Sequence, residues 1–108
     1  MSFQKILIVK GIKYLLEPSK KENKKYDVYM VFNNKEMGIG VLKDNQFVKR
    51  YITSFGDKRY QHYKDKIGFY KNKDHNDKER RKLYKDRHKN DNIDDPNYAG
   101  FWSWHYLW

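Results

Sequence analysis

The last ten residues, "AGFWSWHYLW" (99–108), hold all three tryptophans of a 108-residue chain. A chain this short buries only a small core, so every large ring is a sizeable fraction of it. The segment therefore either closes the fold or stands open as a platform for a partner. Elsewhere charge dominates, with 35% of residues charged and 38% hydrophobic, yet 18% are aromatic. Disordered basic tails are poor in aromatic residues. The balance points to one folded domain over 1–108, β-rich across 1–56 and helical across 57–108.

Charge narrows the partners. The chain carries 24 Lys and Arg against 14 Asp and Glu, a formal charge of +10. A field of that size recruits polyanions, nucleic acid first, then an anionic membrane face or an acidic protein. Residues 57–90 hold thirteen basic and six acidic side chains, whereas residues 91–108 hold only the acids Asp91, Asp94 and Asp95. The lack of cysteine excludes a disulfide framework and a thiolate metal site, and fits a reducing compartment. "KILIV" (5–9) is too short for a signal-peptide core, and no stretch approaches the roughly 20 apolar residues of a membrane span. The expectation is a soluble intracellular protein with no membrane span and no cofactor.

The first half has the texture of strands. "FQKILIVKGIKYLLE" (3–17) is β-branched and aromatic, broken at Gly11 and closed by Pro18, as in a bent strand or hairpin arm. "SKKENKK" (19–25) is a basic, solvated loop. In "YDVYMVF" (26–32), Tyr26, Val28, Met30 and Phe32 share one face and Asp27, Tyr29 and Val31 the other, a period of two. "MGIGVL" (37–42) and "QFVKRYIT" (46–53) complete an antiparallel meander. Gly38 and Gly40 do not form a phosphate loop, since no lysine–serine/threonine pair and helix follow.

Past "SFG" (54–56) helix formers take over. Tyr60, Tyr63, Ile67 and Tyr70, spaced three, four and three apart, predict a short amphipathic helix over 57–67 ending at Gly68. A second helix, 77–89, has Asp74 or Asn76 as its cap and basic residues at its end, as the macrodipole favours. A third starts with Asp95 as cap and Pro96 at its first position, and runs through the tryptophans. The fold class is thus α+β: a small N-terminal antiparallel meander, two or three helices, and an aromatic C-terminal helix packed on the sheet.

On the wheel of helix 77–89, Lys78, Lys82, Lys85 and Lys89 fall within an arc of roughly 60°. This stripe, roughly 16 Å long at the helical rise, can touch several phosphates along a nucleic-acid backbone without reading sequence. Arg81 and the loop lysines Lys20, Lys21, Lys24 and Lys25 extend the basic set. The opposite face carries Arg80, Leu83, Tyr84 and Arg87. Leu83 and Tyr84 suit burial, and the arginines would lay their stems on an aromatic neighbour, for which the terminal helix is the candidate. There Phe101, Trp104, His105 and Trp108 are assigned to the core. Tyr98, Trp102 and Tyr106, in an i, i+4, i+8 row, are left to stack on bases, to dock into a partner's pocket, or to remain half-exposed.

"DHND" (74–77) with His62, Asp65 and His88 offers metal or general-base residue types, but the spacing is not that of a zinc helix. Its expected task is to cap the helix and pair with Arg80 or Arg81, and no metal or catalytic residue is assigned.

"FGDKRYQHYKDKIGFYKNKDHNDKERRKLYKDRH" (55–88) together with "AGFWSWHYLW" resembles a small family of proteins of nucleocytoplasmic large DNA viruses, the giant viruses of algae and amoebae. The matching positions are Phe55-Gly56, His75 to Asp77, Arg80-Arg81, Tyr84, Arg87-His88, Ser103, Leu107 and Trp108, about the second half of the chain. The resemblance implies a context rather than an activity: a viral protein, packaged in the virion or made in abundance in the infected cell's cytoplasmic viral factory. Charge and context lead to a non-enzymatic protein that binds nucleic acid, DNA ahead of RNA, through the lysine stripe. The alternative is a minor capsid or scaffold protein acting through protein–protein contacts.

Overall fold

The computed structural model describes residues 3–33 and 47–108. In it the first apolar run splits into strands β1 (Lys5–Val9) and β2 (Ile12–Pro18). The split falls at Lys10-Gly11, where both residues take left-handed backbone, φ 52° and 79°. Two successive positive φ values are what a two-residue type I′ hairpin turn requires. Strand β3 (Tyr26–Asn33) pairs with β2, and β4 (Phe47–Phe55) pairs with β3, all antiparallel, giving the order β1-β2-β3-β4. A register shift between Val28 and Tyr29 leaves Ile52 of β4 as an extra residue, and Ile52 packs on the core. Such a bulge bends the strand locally. The expected strand 37–42 and its flanking turns lie outside the described residues.

Two helices follow, α1 (Lys78–His88) and α2 (Ala99–Tyr106), with a single 3-10 turn at Lys71–Lys73. The architecture is α+β, a four-stranded antiparallel sheet with helices. Its core joins Tyr14 and Leu16 of β2, Tyr26 and Val28 of β3, Phe55 of β4, Ile67, and Phe101, Trp102 and Leu107 at the C-terminal end. Trp102 is the centre, 0% exposed. Its ring lies 5.1 Å from Tyr14, 6.3 Å from Phe55 and 5.4 Å from Tyr106. Pairs at such separations add stabilisation beyond the area they bury. Trp102 is therefore not free for a partner, which corrects the sequence reading, while Tyr106 stacks on it half-buried. Helix α2 is rotated so that Phe101 and Trp102 enter the core while His105 faces out and meets Ile93 O at 2.8 Å.

No helix forms over 57–67. The stretch from Asp57 to Asn76 is irregular because its backbone groups are committed elsewhere. The N–H groups of Lys64 and Lys66 donate to Leu107 O and Tyr106 O, each at 3.0 Å, and His62 N donates to Lys73 O at 3.1 Å. Asp65, 1% exposed, accepts from the N–H of Ile67 and Gly68 on Oδ1 and of Tyr70 on Oδ2. Short polar side chains that bond nearby backbone compete with helix in this way. The tyrosine spacing at 60, 63, 67 and 70 mimics a helical period without producing one.

The terminal helix also starts later than its sequence suggests. Asp95 closes a tight turn by accepting from Asn97 N, while Tyr98, without a side-chain bond, is the residue that precedes α2. Pro96 contributes its carbonyl, which accepts from Trp102 Nε1 at 2.7 Å. That bond satisfies the one polar atom of the buried indole.

Candidate nucleic-acid interface

Helix α1 begins at Asp77, whose Oδ1 accepts from Glu79 N at 3.0 Å and Arg80 N at 3.2 Å. Asp74 and Asn76 are not its caps. Asn76 sits in left-handed backbone at φ 55°, and the Asp74 carboxylate is occupied by His62 Nε2 and Asp65 N. Capping therefore does come from "DHND", through its last residue, but its side chains pair with neither guanidinium: Arg80 Nη1 donates to Gln61 Oε1 at 3.0 Å, and Arg81 turns the other way.

The lysine stripe occupies the flank of α1 away from the core. Lys78, Lys82 and Lys89 are exposed, Lys89 being the residue that ends the helix. Among the described residues none of the four forms an ion pair with a carboxylate. Lys85 differs from the rest: its Nζ lies 4.3 Å from the centre of the Trp104 ring, and partial burial pulls its pKa down. The ammonium lies over an aromatic face, the geometry of a cation–π contact.

The inner flank is organised by one tyrosine. Tyr84 is buried, stacks on Trp108 with centroids 4.4 Å apart and planes 4° from parallel, and donates to Ser103 Oγ at 3.0 Å. The arginine that lies on rings is Arg81, with its guanidinium 5.1 Å from the Tyr63 centroid and Nε donating to Trp108 O at 2.7 Å. Arg80 and Arg87, expected in that role, are exposed instead, and Leu83, expected in the core, is 56% exposed. Arg80 and Arg87, four and three residues from Tyr84, lie on its side of the helix, where they border a cleft rather than a packed ring. Arg81 thus leaves the nucleic-acid set and becomes a clamp on the chain's C-terminal turn.

Between this flank and the segment after β4 lies a cleft of about 490 Å³, lined by Lys25, Tyr60, Arg80, Arg87 and Trp108 among others. Gly56 borders it in left-handed backbone at φ 75°, where an added Cβ would stand 3.0 Å from Leu107 Cδ1 and from Lys25 Cβ and Cδ. Lys25 is not a surface lysine of the 19–25 loop: it is 2% exposed, and its Nζ meets His62 Nδ1 at 2.7 Å. His62 Nε2 meets Asp74 Oδ1 at 2.6 Å. The roles are consistent only one way round, with Lys25 donating to Nδ1 and the protonated Nε2 donating to Asp74.

Burial is the largest cause that pulls the Lys25 amine down to about 8, partly opposed by the Asp65 charge. It also lowers the His62 pKa, with Lys25 acting in the same direction. Beside them the Tyr26 phenol, pushed far up by burial and then by its hydrogen bond to Asp65, stays neutral. The periodicity of the sequence gave no sign of this cluster. Its only trace was a set of ionisable residues, His62, Asp65 and Asp74, in a stretch with too few apolar residues to hold itself down.

The remaining basic candidates divide. Lys20 and Lys24 are exposed. Lys21 reaches across to β4, where Nζ meets Tyr51 Oη at 2.5 Å and sits 4.0 Å from the ring centre. Tyr98 is 50% exposed, the one ring of the supposed stacking row that faces solvent. Among the described residues no helix is long and apolar enough to cross a membrane. Comparison with family models, curated proteins and solved structures finds no match for this chain.

Proposed function

We propose that this chain is a non-enzymatic basic protein of a large DNA virus, acting in the virion or the viral factory, that binds nucleic acid with little regard to sequence along α1. The observation that supports the reading is the outer flank of that helix: Lys78, Lys82 and Lys89 exposed, Lys85 beside them, and no carboxylate paired with them among the described residues. Lys20 and Lys24 add loop cations. Contacts of this kind release counterions, so affinity for duplex DNA should fall steeply between about 50 and about 200 mM salt. Replacing the four stripe lysines with glutamine should flatten the log–log salt slope by about 3 to 4, at about 0.9 per phosphate contact. A salt-independent affinity, or an unchanged slope in the quadruple variant, sinks the proposal.

An assembly role is the second reading, supported by a different surface. β1 is an outer strand of the sheet, and Ile6 and Ile8 on it and Ile12 beside the turn are 46%, 71% and 41% exposed. An apolar outer strand is a template for pairing with another chain. Sedimentation of nucleic-acid-free protein should then show a discrete oligomer that Ile8→Lys dissolves; a monomer at all concentrations dismisses this role.

A further inference from the structure

The cleft behind α1 has a chemistry distinct from the lysine flank. Lys25, Arg80 and Arg87 line it, and among the described residues none of these cations has a carboxylate within ion-pair distance. Among the described residues the one side-chain carboxylate in its lining, Asp57, is already held by Arg59 at 2.8 Å. Lys25 is the innermost of the cations and is almost wholly out of water. Its Nζ is held by His62 Nδ1 and the Asp65 charge offsets its burial only in part; an ammonium withdrawn from solvent is costly, and a dianion in the cleft would offset more of that cost through space. The two guanidinium groups are set seven residues apart on one helical face, at the mouth. Guanidinium forks match phosphate oxygens in geometry as well as charge.

The cleft is not uniformly polar. Tyr60 and Leu83 line it as well and are 62% and 56% exposed, flat apolar surfaces on which a planar ring can lie. Its volume, about 490 Å³, falls within the range of small-molecule sites. We propose that this cleft binds a nucleotide, its phosphate drawn to Arg80, Arg87 and Lys25 and its base laid against Tyr60 and Leu83. The ligand is either a free mononucleotide or the 5′-phosphorylated end of a strand, which present the same chemistry. The site does not depend on the lysine stripe, which faces the other way.

Calorimetric titration with 5′-AMP, with adenosine and with a short single-stranded oligonucleotide bearing or lacking a 5′-phosphate tests this directly. AMP should bind and adenosine should bind at least about tenfold more weakly, the loss expected when charge-assisted bonds are removed. Arg87→Gln and Arg80→Gln, both at exposed positions, should each weaken AMP by about tenfold, with Arg87→Lys recovering part of the loss. Lys78→Gln/Lys82→Gln/Lys89→Gln should leave AMP binding unchanged while weakening duplex binding. A phosphorylated oligonucleotide that displaces AMP identifies a strand end as the natural ligand; failure to displace identifies the free nucleotide. Equal affinity for adenosine and AMP, no binding of either, or indifference to both arginine variants overturns the proposal, and none of these results bears on the stripe.

Discussion

Two regions of this protein are held by opposite means. The sheet with α2 is an apolar core: Leu16, Tyr26, Val28 and Phe55 close over Trp102. Of the hydrophobic side chains of segment 57–76, Ile67 alone is fully buried. The segment is ordered by carboxylates that accept backbone N–H groups and by the Lys25–His62–Asp74 chain. Apolar burial is non-directional and tolerant of approximate shape, whereas a buried polar network is stable only when every member is satisfied. The first region should degrade gradually under mutation and the second abruptly.

The largest effect should come from the apolar side. Trp102→Ala is expected to destabilise the fold by about 4 to 5 kcal/mol in urea denaturation. A fully folded Trp102→Ala protein that merely lost a partner would reverse the assignment of that ring. Next is Asp65→Asn, which sets an amide N–H₂ against Tyr70 N and Tyr26 Oη and should lose about 3 kcal/mol. Hydrogen exchange sharpens the contrast: the amides of Ile67, Gly68 and Tyr70 should lose protection while those of β2 and β3 keep theirs. Loss spread evenly over both regions would show that they do not behave as separate units.

Titration separates the regions further. The Lys25 amine is held near 8 in the folded chain against 10.5 when unfolded. Between those values the unfolded chain binds the extra proton, so stability should rise with pH from about 8 towards 10, by on the order of 2 kcal/mol. Above pH 10 the buried tyrosines, Tyr26 foremost, stay neutral only in the folded state, and stability should fall again. Lys25 is packed against His62, with Asp57, Asp65, Lys73 and Asp74 acting on its charge. Lys25→Met strands His62 Nδ1, so the informative quantity is the slope: the rise above pH 8 should vanish. On the acid side, His62 and His75 are both pulled below 6.5 by burial, and stability should decline as pH drops through that value. The smallest effect is expected at Leu83→Ala, within about 0.5 kcal/mol, since that side chain packs on little.

The sequence was legible where burial follows a period. The faces of β3, the class of the fold and the extent of α1 within a residue or so all follow from alternation and helical offsets. It was illegible where a hydrogen bond decides. Helix 57–67 failed because the Lys64 and Lys66 amides had partners tens of residues away and Asp65 bonded the backbone just after it, and the tryptophan row was inverted because Pro96 O fixes the Trp102 indole. On the candidate site, the stripe could be read from offsets alone. The cleft could not, since Lys25 looks like any loop lysine until Gly56 and Leu107 close around its stem.

That closure rests on a position with no side chain. At Gly56 the end of the last strand, the stem of a buried cation and the penultimate leucine meet with no room for a methyl group. Replacing it even with alanine would wedge three separate parts of the chain apart in one stroke, flooding the ammonium with water and loosening the terminus that anchors α1. Sequence drift at this junction should therefore be all but forbidden, while the charged surface a few ångströms away is free to change.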